Sequence, residues 1–125
     1  MGVLSDENGR LCVSPPGELF FAAGFYDYDT KYGAGAETKI PASLPAPVSK
    51  RLRELALFAF RTLGCRHYAR IDFFVTGDAG IVLNEVNALP GLTGKSMFPA
   101  LAAAMGVPFP ALVRRLAAFA AEGTP

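Results

Sequence analysis

The chain has 125 residues, of which 51% are hydrophobic, and its 12 basic and 11 acidic side chains give a formal net charge of +1. This length suits one domain or a large piece of one. The balanced charge argues against a nucleic-acid or membrane-surface partner held by bulk electrostatics. No apolar run reaches transmembrane length, and the first ten residues are too charged for a signal peptide. We therefore expect a cytoplasmic protein that binds neither nucleic acid nor a membrane.

The first part of the chain combines short strand-like runs with a long segment of irregular composition. Leu11–Val13 and Glu18–Phe21 predict two short strands. Residues 24–47 follow and are rich in Gly, Pro, Tyr and charge, without a sustained hydrophobic period. An aperiodic segment of about 20 residues in a compact chain is typical of a functional loop. We interpret this segment as a lid.

Clear periodicity begins after this segment. Pro47 starts a predicted helix that Gly64 ends. Apolar residues recur along it at helical spacing, namely Val48, Leu52, Leu55, Ala59 and Leu63. Tyr68–Val75 and Ile81–Asn87 predict two strands joined by a turn, and hence a β-hairpin.

Two helices complete the predicted order of elements. A loop over residues 88–94 leads to a helix that Ser96 can cap and that runs to about Met105. Pro108 or Pro110 begins the last helix. Its predicted apolar face consists of Leu112, Val113, Leu116 and Phe119. The whole pattern predicts an α/β protein of the α+β type, with a mostly antiparallel sheet and packed helices.

The hairpin carries polar side chains on otherwise apolar strands. If the glycines at 77 and 80 pair across the turn, Asp72 lies opposite Glu85 and Arg70 lies opposite Asn87. A one-residue bulge in the turn would change this register. Strand alternation further predicts one shared face for the second-strand residues Ile81, Leu83, Glu85 and Asn87.

Two facing carboxylates repel each other unless a cation lies between them. Carboxylate and amide oxygens suit magnesium, which often keeps waters and substrate phosphates as further ligands. Asp72, Glu85 and Asn87 are therefore candidate metal ligands, beside an Arg70 that can hold a phosphate or an oxyanion. The alternative is that Arg70 forms an ordinary salt bridge with Asp72 or Glu85 on a solvated sheet face.

The loop after the second strand has features of an anion-binding site. Gly91 and Gly94 allow backbone N–H groups to approach an anion closely. The helix start at Ser96 offers free N–H groups and a positive dipole end. The alternative is an ordinary capped helix after a turn. Metal-binding carboxylates next to anion-binding backbone indicate phosphoryl or acyl-phosphate chemistry.

Four stretches follow one another along the chain: Phe25–Tyr32, Ala69–Phe74, Leu83–Gly91 and Ser96–Pro99. Their residues, order and spacing together resemble the D-alanine–D-alanine ligase family of ATP-grasp enzymes. The Glu-Val-Asn element at 85–87 alone is similar to that of many ATP-grasp enzymes, whereas the full series is specific. The resemblance covers nearly all of residues 1–125 but only the last third of a typical family member, its C-terminal part.

The resemblance implies roles in metal binding and catalysis for five residues. Asp72, Glu85 and Asn87 would hold two magnesium ions, or manganese in their place, with Glu85 between the two. Arg70 and the backbone N–H of Gly91 would steady the acyl-phosphate and the tetrahedral intermediate. These roles come from the family and not from spacing.

The resemblance also implies roles in substrate binding. Lys31 would reach the terminal phosphate of ATP from the lid, and Tyr32 would help to close the lid over the acceptor amino acid. Ser96 and the backbone N–H of Met97 would take the acceptor's carboxylate. Phe74 would pack under the nucleotide base.

In this family, ATP phosphorylates the carboxylate of one D-alanine, and the amine of a second D-alanine attacks the acyl-phosphate. The dipeptide feeds peptidoglycan synthesis in bacteria. The resemblance thus implies a cytoplasmic bacterial ligase that acts on ATP and D-alanine, with a homodimer as one assembly. The missing N-terminal and central regions of the enzyme would be partners of this chain, which alone is expected to be inactive.

Two alternatives stay open. The chain is compatible with a non-catalytic remnant or interaction module that retains the motifs. It is also compatible with an ATP-grasp ligase for a different substrate pair, although Tyr32 favours a dipeptide over an ester product. Asn84 departs from the family, in which an apolar residue is usual near the adenine.

Overall fold

The computed structural model describes residues 1–21, 36–78 and 80–121 of the chain. Their strands and helices are β1 Gly2–Ser5, β2 Leu11–Val13, β3 Glu18–Phe21, β4 Ala36–Lys39, α1 Ala46–Thr62, β5 Tyr68–Val75, β6 Ile81–Asn87, α2 Met97–Ala104 and α3 Phe109–Ala121. The strands predicted at β2, β3, β5 and β6 have the observed bounds, and the three predicted helices are present.

Four strands form the central sheet in the order β2-β1-β5-β6, and all neighbours pair antiparallel. β3 and β4 pair antiparallel as a separate two-stranded sheet. The predicted α+β fold with an antiparallel sheet is therefore confirmed. The sequence pattern does not predict β1, because four residues are too few to show a period. All four are buried, as befits an inner strand.

α1 covers one face of the central sheet. Its buried stripe packs against Val3, Ala69 and Ile71 and consists of Leu52, Ala56, Ala59 and Phe60. The helix begins at Ala46, one residue earlier than predicted, with Pro47 in the first turn. Leu63, the last residue of the predicted helical period, is 60% exposed and does not join this stripe. Leu63 is the C-cap, where the helical period ends.

α2 and α3 pack on the opposite face at one end of the sheet. Leu4 of β1 forms a buried cluster there with Phe98, Ala102 and Leu112. Val113 is 43% exposed, so its predicted place on the apolar face of α3 is wrong, because the helix buries the Leu112 side instead.

No single helix in the described ranges is long and apolar enough to cross a membrane. α2 and α3 reach the required length and composition only as a pair, which bends by 103° at the break between them.

The predicted lid, residues 24–47, is only partly described. Residues 36–39 form β4, and α1 begins at Ala46, so the second part of the segment contains regular structure rather than one continuous loop. The sequence does not reveal β4, because its four residues, Ala-Glu-Thr-Lys, show no alternation of apolar and polar side chains. Residues 22–35 lie outside the described part of the chain, and so the lid remains a prediction.

Candidate functional site

The β5–β6 hairpin has a register near its turn that differs from the predicted one. Val75 lies opposite Ile81, and the N–H of Thr76 donates to the carbonyl of Gly80 at 2.9 Å. Gly77 therefore does not pair with Gly80, and this premise of the sequence analysis is wrong.

A β-bulge lies in the middle of the hairpin. Phe73 pairs with Leu83, whereas Asp72 pairs with Glu85, so Asn84 is the extra residue on β6. The bulge offsets the one-residue difference at the turn. As a result, the predicted pairing of Asp72 with Glu85 is present although its premise was wrong.

The bulge also reverses the alternation of faces along β6. Cross-strand partners share a face, and so Ile81 and Leu83 lie with Val75 and Phe73 on the side of α1. The prediction that they share a face with Glu85 is wrong for this reason. The opposite face brings together the four polar residues of the hairpin: Arg70, Asp72, Glu85 and Asn87.

Arg70 links the two carboxylates. Its Nε donates to both oxygens of Asp72, at 2.9 and 3.1 Å. Its Nη2 donates to Asp72 Oδ2 at 2.8 Å and to Glu85 Oε1 at 3.0 Å. One guanidinium nitrogen thus lies between the carboxylates, which is the position of the expected cation. These contacts are the salt bridges that the sequence analysis kept as an alternative to a metal site.

Two basic groups near Asp72 have shifted pKa values. The hydrogen bond to Asp72 raises the pKa of Arg70 above its ordinary value, against the effect of burial. The ammonium of Met1 donates to the carbonyl of Ile71 at 2.8 Å. Burial lowers the pKa of this ammonium from 8.0 to about 6, while Asp72 acts in the opposite direction. Asp72 thus favours the charged form of both basic groups.

The donor set fits a hard cation. Within residues 1–21, 36–78 and 80–121, no three His, Cys, Asp or Glu side chains converge on a metal position. Among the described residues, Asp72 and Glu85 would therefore provide two carboxylates, with the amide oxygen of Asn87 on the same face. Magnesium tolerates so few protein ligands when waters and substrate phosphates complete its shell. That these three residues bind a metal ion remains a prediction.

Asn87 connects this face to the loop that follows. Its Oδ1 accepts the N–H of Leu89 at 3.0 Å, an Asx-type turn at the strand end. One lone pair of the amide oxygen remains for another partner. The side chain of Asn87, a candidate metal ligand, thus also fixes the backbone at the start of the loop after β6.

The hydroxyl of Ser96 is held inside the loop. Ser96 occupies the N-cap position of α2 but makes no side-chain cap, so its predicted capping role is wrong. Its Oγ instead accepts the N–H of Thr93 at 3.1 Å and lies 2.8 Å from Thr93 Oγ1. A Cβ at Gly91 would lie 2.8 Å from the same Oγ. Gly91 is therefore required for close approach to Ser96.

The start of α2 lies near the carboxylate face because of a glycine in β1. Gly2 pairs with Arg70, and a Cβ at Gly2 would lie 3.2 Å from Leu101 Cβ and 3.5 Å from Phe98. This close packing seats α2 on the sheet face that carries Arg70, because Gly2 and Arg70 are cross-strand partners. Met97 is the first residue of the helix, so its N–H has no partner within the helix.

The remaining predicted residues are partly described. Phe74 is 59% exposed and pairs with Val82 on the face that carries Asp72, so it is available to pack against a flat ligand. Lys31 and Tyr32 lie outside the described residues. Thr93, which the sequence analysis did not single out, belongs to the site through Ser96. Its three-residue spacing from Ser96 was the available signal.

Comparison with known proteins assigns this arrangement to a class and then to a family. The sheet and helices are those of the C-terminal subdomain of ATP-grasp ligases. A family model described as "D-ala D-ala ligase C-terminus" matches residues 1–118. The chain therefore belongs to the D-alanine–D-alanine ligase family, of which it represents the C-terminal part.

Curated relatives agree with this assignment. The chain is 50% identical over 121 residues to a protein named D-alanine--D-alanine ligase A from Brucella suis, covering 94% of this chain and 34% of the relative. It is 52% identical over 124 residues to D-alanine--D-alanine ligase from Deinococcus radiodurans, covering 98% and 36%. The chain thus spans about a third of the length of the bacterial relatives that it matches.

Solved structures share the fold. The VanG D-Ala:D-Ser ligase from Enterococcus faecalis superposes with a TM-score of 0.76 at 33% identity, covering 94% of this chain and 34% of the ligase. The D-alanine--D-alanine ligase from Bacillus anthracis complexed with ATP superposes with a TM-score of 0.67 at 33% identity, covering 88% and 38%.

Proposed function

We propose that this chain is the catalytic C-terminal part of an ATP-dependent ligase that joins two D-alanines through an acyl-phosphate. The observation that carries the proposal is the convergence of Arg70, Asp72, Glu85 and Asn87 on one sheet face. Family membership indicates the type of reaction, and this sheet face carries residue types suited to it. The enzyme would act in the bacterial cytoplasm.

Asp72, Glu85 and Asn87 would hold magnesium ions, whose charge offsets that of the phosphate oxygens when they are bound. Arg70 is the neighbouring cation. When its carboxylate partners bind magnesium, its guanidinium can donate to a phosphate or a developing oxyanion instead. The N–H of Gly91 would donate to the same group, and Lys31 would reach the terminal phosphate.

The acceptor amino acid would lie at the start of α2. The hydroxyl of Ser96 and the N–H of Met97 would donate to its carboxylate, at the end of the helix where the dipole favours an anion. Tyr32 would cover this position, and Phe74 would pack against the adenine. The partners of the chain are then ATP, D-alanine and the upstream regions of the enzyme.

A second substrate pair has specific support. The VanG protein from Enterococcus faecalis, which shares the fold, is a D-Ala:D-Ser ligase. The acceptor seat of Ser96 and Met97 recognises a carboxylate, which D-alanine and D-serine both carry. Competition between the two amino acids as acceptors therefore decides between these products.

The proposal is tested in a complete enzyme, made by joining this chain to the upstream two-thirds of the Deinococcus radiodurans relative. Glu85→Gln keeps size and removes the charge that binds the metal. We expect turnover to fall by on the order of 100-fold or more with little change in stability, because the side chain of Glu85 is 46% exposed. Phosphate release and dipeptide formation are measured.

Glu54→Gln is the matched control. Glu54 is an exposed carboxylate on α1 that contacts Arg51 at 3.3 Å, far from the hairpin face. This variant should keep normal turnover and normal stability. Equal activities of the two variants, or full activity of Glu85→Gln, would contradict the proposed metal site.

A further inference from the structure

Ser96 has a hydrogen-bond arrangement that its position in the helix does not require. Its Oγ accepts the backbone N–H of Thr93 at 3.1 Å and lies 2.8 Å from the hydroxyl oxygen of Thr93. The N–H of Ser96 in turn donates to the carbonyl of Thr93 at 3.0 Å. Three contacts between the same two residues thus close the loop just before α2.

These contacts determine where the proton of Ser96 can point. A serine hydroxyl has one proton and two lone pairs. If both Thr93 groups donate, they fill both lone pairs, and the proton of Ser96 must be directed elsewhere. Gly91 lies against the same oxygen, since a Cβ there would come within 2.8 Å of Ser96 Oγ, and glycine has no side chain that could accept this proton. The proton of Ser96 is therefore available to a bound acceptor.

We propose that Thr93 is a positioning residue for the acceptor amino acid, which makes Ser96 a donor toward the acceptor's carboxylate. Thr93 acts through Ser96 and does not itself touch the substrate. This inference rests on the proposed function, in which Ser96 and Met97 receive the acceptor. It adds a residue and a direction of donation to that site.

Two substitutions at Thr93 separate its hydroxyl from its shape. Thr93→Val keeps the volume and the backbone N–H but removes the hydroxyl, whereas Thr93→Ser keeps the hydroxyl. In the complete enzyme, we expect Thr93→Val to raise the KM for the acceptor amino acid about tenfold, with a much smaller change in the KM for ATP. Thr93→Ser should remain close to the unchanged enzyme.

A double-mutant cycle with Ser96→Ala shows whether Thr93 acts through Ser96. Ser96→Ala alone should raise the acceptor KM at least as much as Thr93→Val. The two changes together should have the effect of Ser96→Ala alone, because Thr93 then has no hydroxyl to orient. Additive effects would overturn the inference.

The cycle also distinguishes failure of the inference from failure of the proposed function. If Ser96→Ala leaves the acceptor KM unchanged, the acceptor seat itself is wrong. If Ser96→Ala raises it and Thr93→Val does not, the seat stands and the positioning role of Thr93 is overturned. Equal losses in Thr93→Val and Thr93→Ser would likewise overturn the role of the hydroxyl.

The contact is also measurable in the 125-residue chain without any substrate. Hydrogen exchange of the Thr93 amide should be faster in Ser96→Ala, since this N–H donates to Ser96 Oγ. Ser43→Ala serves as a control, because Ser43 precedes α1 and contacts Lys39 instead. Unchanged exchange at Thr93 in Ser96→Ala would overturn the proposed arrangement.

Discussion

At the scale of single residues, Arg70 holds together a pair of carboxylates that would otherwise repel. Its side chain is 18% exposed, whereas those of Asp72 and Glu85 are 32% and 46% exposed. The guanidinium is therefore the least solvated member of the three. A metal ion can enter between the carboxylates only if Arg70 releases them, so arginine and metal compete for one position.

Arg70→Met should reveal this competition in the 125-residue chain. Loss of a partly buried cation that is hydrogen-bonded to two carboxylates should lower the free energy of unfolding by about 1–2 kcal/mol. Magnesium should then raise the melting temperature of the variant more than that of the unchanged chain. Arg51→Met is the control, because the Arg51–Glu54 pair is 61% and 50% exposed. Identical behaviour of both variants, with no response to magnesium, would speak against a cation site.

The amino group of Met1 makes stability depend on pH in a chain that begins with a free Met1. Burial lowers its pKa in the folded state to about 6, against 8.0 when unfolded. The folded state therefore binds fewer protons, and stability falls as pH decreases from about 8 to 6, by roughly 2 kcal/mol. Urea unfolding at the two pH values measures this loss. Acetylation of Met1 should abolish it, and an equal loss in both forms would refute the assignment.

At the scale of elements, the bulge in β6 determines which residues form the site. Without an extra residue, an unbroken ladder from the turn would place Asn84 opposite Asp72 and put Glu85 on the face of α1. The bulge at Asn84 keeps Glu85 and Asn87 on the face of Arg70. The candidate metal ligands and the core residues thus lie on opposite faces because of one unpaired position.

Deleting single residues of β6 tests this account. Deletion of Asn84 leaves Leu83 next to Glu85, so Asp72 should still face Glu85, now in a regular ladder. Deletion of Val86 should instead put Asn87 on the face of α1 and cost roughly 1–3 kcal/mol, because a polar amide becomes buried without a partner. Cross-strand contacts between Asp72 and Glu85 in NMR spectra, and stability in urea, measure both outcomes. Loss of these contacts on deletion of Asn84 would contradict the register.

The hairpin and its facing pairs were predicted correctly from the sequence, but only because two departures from the predicted register cancel each other. The turn pairs Thr76 with Gly80 rather than glycine with glycine, and the bulge restores the offset. Turn geometry and bulges depend on both strands at once, so the alternation of one strand does not reveal them. A signal was present, however: Asn84 and Glu85 are adjacent polar residues in a strand, which a regular alternation places on opposite faces.

Other features were beyond a pattern-based prediction for different reasons. β1 is a four-residue inner strand, recognisable only through its partners in the sheet. The role of Ser96 depends on Thr93, three residues earlier, and N-cap statistics favour a different hydrogen bond for the same serine. The long helices were predictable to within one or two residues because their apolar periods and flanking Pro or Gly residues agree.

At the scale of the whole molecule, the chain spans about a third of the length of its curated relatives. The proposed metal ligands, anion-binding loop and acceptor seat all lie within this third. Ligation also requires ATP and the first D-alanine to be held in attack geometry, which can supply ~7–11 kcal/mol of the barrier. We therefore propose that catalysis needs the upstream regions, although the described face carries the candidate residues for metal and phosphate.

Reconstitution of turnover tests whether this chain is the catalytic C-terminal part of a ligase. The 125-residue chain, the upstream two-thirds of the Deinococcus radiodurans relative, and the two joined in one polypeptide are each supplied with ATP, magnesium and D-alanine. We predict that only the joined protein forms D-alanyl-D-alanine and releases phosphate in a D-alanine-dependent manner. Dipeptide formation by the 125-residue chain alone, at a rate near that of the joined protein, would contradict the account. A folded but inactive joined protein would equally contradict it and would favour a non-catalytic remnant.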